Sequence, residues 1–322
     1  MFSSVHHIAP LLVAHDRQSF DLGLPKLILH QFEEIESKVA GTTASFVVEG
    51  YCIPCGRTVP FAVDMLAGGR REGGKFVPNW RERLVCPSCK MSNRQRLMAA
   101  LIIQQLQGTS NQNVYLMEQT TSLYRWVAAH FPGHRITGSE YLGHGYRGGE
   151  MVKAWRYHNP LRKEVSLTMV RHKVSLLYAM LRIGGLFFHE DLMNLSFETG
   201  SLDMIVSNDV FEHVPDPVKA FAECFRVLRP GGMMLASIPF HSQCDRSITR
   251  ADSGQKGVRH LLPPIYHGNP ISAKGSLVFT DFGWDVIRSF QIAGFSDVVI
   301  EVYASAKLGH LGGGLLIFRM KK

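Results

Sequence analysis

Apolar residues follow a helical rhythm early in the chain and alternate between two rhythms later. In the first 45 residues one helical pattern stands out, "LILHQFEEIESKVA". A cysteine-bearing stretch over 46–92 follows. "SNRQRLMAALIIQQLQG" then reads as a helix joining this module to the next segment. Leu97, Met98, Leu101, Ile102 and Leu106 share one face, Ser92 or Asn93 suits the start and Gly108 the end. From about residue 112 strand and helix signals take turns. "NVYLME" and "RITGSE" flank a helix centred on Leu123, Trp126 and Val127. Residues 143–185 form an insertion with its own helical pattern, "EVSLTMVRHKVSLLYAMLRIGG". "LFFHED", "LDMIVSND" and "GGMMLASIPF" are further strands. Asp216-Pro217 sets a cap and a first-turn proline before a helix expected to bury Val218, Phe221, Ala222, Phe225 and Leu228 and to stop at "RPGG". A Gly/Pro-rich stretch over about 240–279 precedes a last helix, expected from an Asp281 cap to Ala293. The strands "DVVIEVY" and "GGLLIFRM" close the pattern. Such alternation predicts a mostly parallel sheet with helices on both faces.

Composition narrows the class. The chain has 322 residues, 45% hydrophobic and 19% charged, enough to bury a sizeable core and unlike a disordered chain. No apolar run has membrane-spanning length. The first residues lack a basic n-region, and His15-Asp16-Arg17 interrupts their apolar stretch, so they make a poor signal peptide. The expected location is the cytoplasm. The net charge of +8 is uneven: between Cys52 and Arg96 nine Arg/Lys face three acids. The basic character belongs to one module.

That module holds Cys52-x-x-Cys55 and Cys86-x-x-Cys89. Two such pairs suit a tetrahedral four-cysteine zinc site of the ribbon type, closed and therefore structural. A redox pair or unrelated thiols are the other readings. Basic residues interleaved with Phe76 and Trp80 would suit an anionic partner such as RNA. A solvated face that balances the thiolate charge is the slightly favoured alternative.

"NVYLMEQTTSLYRW" ends a strand in an acid and enters a helix, where a nucleotide-binding α/β fold places its first cofactor loop, yet Glu118-Gln119-Thr120-Thr121-Ser122 contains no glycine. The stretch "HEDLMNLSFETGSLDMIVSNDVFEHVPDPVKAFAECFRVLRPGGMMLASIPF" identifies what the loop is for. It resembles class I S-adenosylmethionine-dependent methyltransferases of the type 11-like kind, and the resemblance covers about 112–322. It implies a Rossmann-like seven-stranded methyltransferase sheet, an α/β fold, with the small N-terminal zinc-ribbon-like module and helical segment ahead of it. The resemblance further implies that Glu118, Gln119 and Thr120 border the cofactor. Glu140, with its neighbour Tyr141, meets the ribose hydroxyls, Asp191 and Leu192 flank the adenine, and Asn208, Asp209 and Val210 form the floor. Carboxylates at two consecutive strand ends suit a sulfonium cofactor and repel a pyrophosphate, which with the missing G-x-G-x-x-G speaks against NAD. Thr120, Thr121 and Ser122 narrow the approach but offer a cap for the helix and an N-terminus for the methionyl carboxylate.

A hydroxyl acceptor also profits from a base. His213 in "EHV" is the first candidate, and its competing role is a histidine bonded to backbone. His260 and His267, on the long stretch read as a lid, are the others; Glu212 taken alone would be a surface charge, a reading that the ordered series of motifs outweighs. The leading expectation is O- or N-methylation of a small molecule or glycan. RNA methylation is a variant, and a binding protein that keeps the fold without turnover is the alternative from another class.

Overall fold

The computed structural model describes residues 7–23, 26–153, 185–254 and 257–322. Of the helix expected over 164–185, residues 164–184 lie outside the described residues. No described helix is long and apolar enough to cross a membrane. The chain divides into two compact units, Met1–Ser110 with Val299–Phe318, and Asn111–Val298 with Arg319–Lys322.

The first unit begins with β1 (Leu12–Ala14), α1 (Arg17–Gly23) and α2 (Lys26–Val39). A regular antiparallel pair follows, Ser45–Cys52 against Arg57–Asp64, with Cys52 opposite Arg57. Alternation along the second strand turns Val59, Phe61 and Val63 into a core shared with Val48, Trp80 and Leu84. Helix α3 (Asn93–Leu106) starts in the sequence pattern of a capping box, of which one half is made: Gln95 Oε1 accepts the Ser92 amide at 3.2 Å. Its burial differs from expectation. Besides Leu97, Met98, Leu101, Ile102 and Leu106, the helix buries Asn93, Arg96, Ala99, Ala100 and Ile103, so it is enclosed on nearly every side.

The second unit carries β2 (Asn113–Leu116), α4 (Ser122–His130), β3 (Arg135–Gly138), β4 (Leu202–Asn208), α5 (Pro217–Val227), β5 (Leu228–Ser237) and α6 (Asp285–Ala293). With β6 (Asp297–Ser305) and β7 (His310–Lys321), the strands form a mixed seven-stranded sheet in the order β1-β6-β7-β5-β4-β2-β3. This is the Rossmann-like α/β sheet the sequence implied, but its seventh strand is not the one expected. Leu186–Phe188, read from "LFFHED", pairs antiparallel with Met151–Lys153 and reaches the end of β3 through one parallel bridge, Glu140 to His189. The seventh place is taken by β1, antiparallel to β6 with Leu12 opposite Val302.

Two helix readings need correction. In α5 the Asp216 carboxylate caps the Lys219 amide at 3.0 Å and Pro217 opens the first turn, as expected. The buried face is Ala220, Phe221, Cys224 and Val227, whereas Val218 is 44% exposed and Ala222 faces solvent. Phe221 sets this face, packing 4.2 Å from Phe290 and 4.8 Å from Phe211 between ring centroids. Asp281 caps no helix. It ends the strand Thr280–Asp281, and its carboxylate holds Arg250 at 2.6 Å. Helix α6 starts four residues later, after Trp284. The stretch over 240–279 is built from short antiparallel pairs, Ala251–Gly254 with Gly257–His260 and Tyr266–Asn269 with Ser272–Leu277.

Candidate functional site

Strands β3, β2, β4 and β5 run parallel, with Tyr115 beside Thr137 on one side and Ile205 on the other. The chain passes from β2 to β3 on one flank and then to β4 on the opposite flank. The carboxyl end of β2 is therefore a topological switch point, the place where open α/β sheets bind ligands. Glu118, Gln119 and Thr120 emerge there and are buried.

Side chains shape this loop in place of glycines. Glu140, at the end of β3, accepts on Oε1 the amides of Gln119 (3.0 Å) and Thr120 (2.9 Å) and the Thr120 hydroxyl (2.8 Å). Burial pushes the Glu140 carboxyl pKa up, against these three donors. The Gln119 side chain reads the neighbouring strand: its amide donates to the Leu186 carbonyl at 3.2 Å and its oxygen accepts from the Phe188 amide at 3.0 Å. Thr121 caps α4 through the Tyr124 amide. The glycine that the turn requires sits across from it. A Cβ on Gly138 would meet the Tyr124 ring at 2.5 Å and the Glu118 carbonyl oxygen at 2.6 Å.

Around this loop lie the other expected cofactor contacts. Tyr141 is about half exposed, with its ring 5.5 Å from that of His189. Asp191 folds an Asx turn, accepting the Met193 amide at 2.9 Å, and Leu192 is buried. At the end of β4 the Ser237 hydroxyl lies 2.7 Å from Asn208 Oδ1 and 2.8 Å from Asp209 Oδ1. Asp209 takes a left-handed conformation, φ 60°, which aspartate tolerates better than most residues and which turns the chain sharply off the strand. Val210 is half-buried.

The histidines separate into two groups. His213 follows Asp209 in a short 3-10 turn, Phe211–His213. Its Nδ1 lies 2.8 Å from the Leu277 carbonyl oxygen and donates to it, which leaves Nε2 facing Glu212 Oε1 at 3.5 Å. Burial lowers the His213 pKa despite Glu212 beside it. His267, from the second hairpin, approaches the same Glu212 oxygen at 3.5 Å, and its ring stands 5.0 Å from that of His213. His260 lies exposed on the other hairpin, opposite Ala251 and outside this group. Glu212 is no surface charge: it is fully buried. A three-residue turn has no periodicity from which that burial is legible.

In the other unit the four cysteines converge as expected. Each second cysteine is followed by a left-handed residue, Gly56 (φ 65°) and Lys90 (φ 62°). The amides of these residues bond back to the carbonyls of Cys52 (2.9 Å) and Cys86 (3.0 Å), so the two knuckles share one turn geometry. Sulfur–sulfur separations are 3.8 Å for Cys52–Cys89 and 3.7 Å for Cys55–Cys86. A tetrahedron with zinc–sulfur bonds of about 2.3 Å has edges of about 3.8 Å, so the cluster fits a zinc-sized ion. Many of the basic residues in this module are engaged within it. Arg83 pairs with Asp64, Arg70 with Glu72, and Arg81 and Arg94 both with Glu82. Arg96 is buried.

Residues 145–236 match a family model described as a methyltransferase domain. Among curated relatives, a probable S-adenosylmethionine-dependent methyltransferase of Mycolicibacterium smegmatis is 45% identical over 51 residues, 16% of this chain and 20% of that one. A ubiquinone biosynthesis O-methyltransferase of Xanthomonas oryzae is 33% identical over 70 residues, 22% of this chain and 28% of the other. The matches thus span under a third of the length of these relatives. Among solved structures, a Burkholderia thailandensis 1,6-didemethyltoxoflavin N1-methyltransferase aligns with a TM-score of 0.37 at 16% identity, covering 71% of this chain and 77% of that one. Residues 145–236 are thus similar to a methyltransferase domain, and both of these curated relatives are named as methyltransferases, the first as one that probably depends on S-adenosylmethionine.

Proposed function

We propose that this protein transfers the methyl group of S-adenosylmethionine to an oxygen or nitrogen of a small-molecule acceptor. The observation that carries the reading is the Glu140 clamp at the switch point. Its Oε1 is taken by the loop, which orients the carboxylate and leaves Oε2 for ribose hydroxyls. The same clamp occupies the loop amides that a pyrophosphate would need. Asp191 and Leu192 would border the adenine, with Asn208, Asp209 and Val210 beneath it. When bound, the cofactor supplies a methyl group on a cationic sulfur. The protein's part is then to exclude water and to hold the acceptor in line. For a hydroxyl acceptor, His213 is the proton acceptor: its Nδ1 proton is fixed on the Leu277 carbonyl, so Nε2 carries the free lone pair. His267 faces the same point, whereas His260 does not join them. In the other unit, Cys52, Cys55, Cys86 and Cys89 would hold a zinc ion with no open position, which braces that unit and takes no part in methyl transfer. The pairing of Arg70, Arg81, Arg83 and Arg94 with acids favours the solvated, self-balanced face over an RNA-binding one.

Calorimetric titration with S-adenosylhomocysteine tests the cofactor reading. The wild type is expected to bind in the micromolar range. Glu140→Ala should lose at least ~tenfold by losing both the ribose contact and the loop anchor, about 1.4 kcal/mol or more. A wild type that binds nothing would refute the assignment.

A further inference from the structure

The Glu212 side chain is fully buried, and neither of its carboxylate oxygens accepts a hydrogen bond among the described residues. A carboxylate kept dry and without donors is costly unless a positive charge sits beside it. The groups that face it are two imidazoles. One ligand atom each from Glu212, His213 and His267 lies within 4.8 Å of the others, a spread that one ion can bridge. His213 is already oriented in the manner of a metal ligand, its second ring nitrogen held by a backbone carbonyl. The His267 side chain is 41% exposed, which opens the cluster on one side, while Glu212 closes it on the other. The geometry points to a second metal site here: Glu212, His213 and His267 bind one divalent first-row transition ion, leaving open positions for oxygen atoms of solvent or acceptor.

The donor set selects the ion class. Two imidazoles and one carboxylate suit zinc, cobalt, iron(II) or manganese better than magnesium, which favours an all-oxygen octahedron. Glu212 and His213 lie three and four residues past Asp209, beyond the end of β4 where the cofactor floor is proposed, and His267 joins them from the second hairpin. An ion there would lower the acidity threshold of a hydroxyl acceptor, and His213 would then serve as ligand in place of proton acceptor. The ion's role rests on the proposed methyl transfer; its binding does not.

The test uses the full chain, first loaded with zinc at the four cysteines and then dialysed against cobalt(II). Metal content is counted and the visible spectrum recorded. The expected wild-type result is one cobalt per chain in addition to one zinc. Its spectrum should show ligand-field bands of nitrogen and oxygen ligation without the intense sulfur charge-transfer band. Glu212→Gln and His267→Gln should each weaken cobalt binding by at least ~tenfold while retaining the zinc. His267 is exposed, so its variant keeps the test decisive should Glu212→Gln fold poorly. Wild-type protein that takes up no cobalt at millimolar concentration, or variants that bind it as well as the wild type, would overturn the proposal. Binding of S-adenosylhomocysteine, measured separately, shows whether the cofactor reading stands whichever way the metal result falls.

Discussion

Replacing Arg96 by methionine should destabilise the cysteine unit more than its position in a helix suggests. The guanidinium is 1% exposed and has no carboxylate among its bonded partners. It donates to the carbonyls of Leu308 (2.8 Å), Gly309 (2.8 Å) and Leu84 (3.3 Å), contacts Asn93 Oδ1, and lies 3.8 Å above the Phe61 ring centroid. Burial pulls its pKa down to about 10, opposed by the field of the four cysteine sulfurs, so it remains charged at neutral pH. With zinc bound, the four thiolates would carry two net negative charges, and the buried Arg96 cation would answer them. Methionine fills similar space but leaves three carbonyls without their donor, at about 1–3 kcal/mol for each that stays dry. Partial rehydration brings the expected total to about 3–5 kcal/mol, the range for breaking a buried charge interaction. Lysine should recover part of this, since an ammonium retains the charge but neither reaches the carbonyls as a fork nor stacks on Phe61. Urea unfolding of the zinc-loaded proteins, followed with a zinc-responsive dye, measures both stability and metal release. The variant should release zinc at lower urea. A loss below about 1 kcal/mol, with zinc retained as in the wild type, would refute the countercharge argument.

Two further outcomes follow from the site. Gly138→Ala must displace both the Tyr124 ring and the Glu118 carbonyl, so it should weaken S-adenosylhomocysteine binding at least ~tenfold; unchanged affinity by calorimetry would show that the loop has slack. If His213 is the base, its lowered pKa keeps it neutral as pH falls, so the acid limb of kcat should lie below the ordinary histidine value of 6.5 and vanish in His213→Gln. A limb at or above 6.5, or one that persists in the variant, would remove His213 from that role.

Much of the sheet and of the loop at its centre was legible, because parallel strands and amphipathic helices impose strong periods. Helix α4 shows this: Leu123, Trp126 and Val127 are its buried residues, as read. The cysteine cluster was legible because a four-thiolate site needs two local pairs, and the pairs are contiguous in sequence. What escaped depends on contacts distant in sequence or on elements too short to have a period. The polar residues Asn93 and Arg96 mark a solvent face by pattern, yet both are buried through partners more than 200 positions away. The three-residue strand "LVA" offers nothing to distinguish it from loop. Asp281 resembled a cap because an acid precedes an apolar helix, but its partner is Arg250, just past the paired strand Ile248–Thr249. Glycine was sought in the first loop, whereas the close approach is relieved at Gly138, on the adjoining strand.

The short strand at the amino-terminal side also governs how the sheet ends. The interior is occupied by its longest members, twelve residues in β7 and ten in β5, while the two margins are β1, with three residues, and β3, with four. Without β1 the nine-residue β6 would become the margin, its unpaired amides and carbonyls available to any extended chain. A margin three residues long offers too few ladder bonds to recruit another molecule, so this one small element acts as a guard against edge-to-edge aggregation.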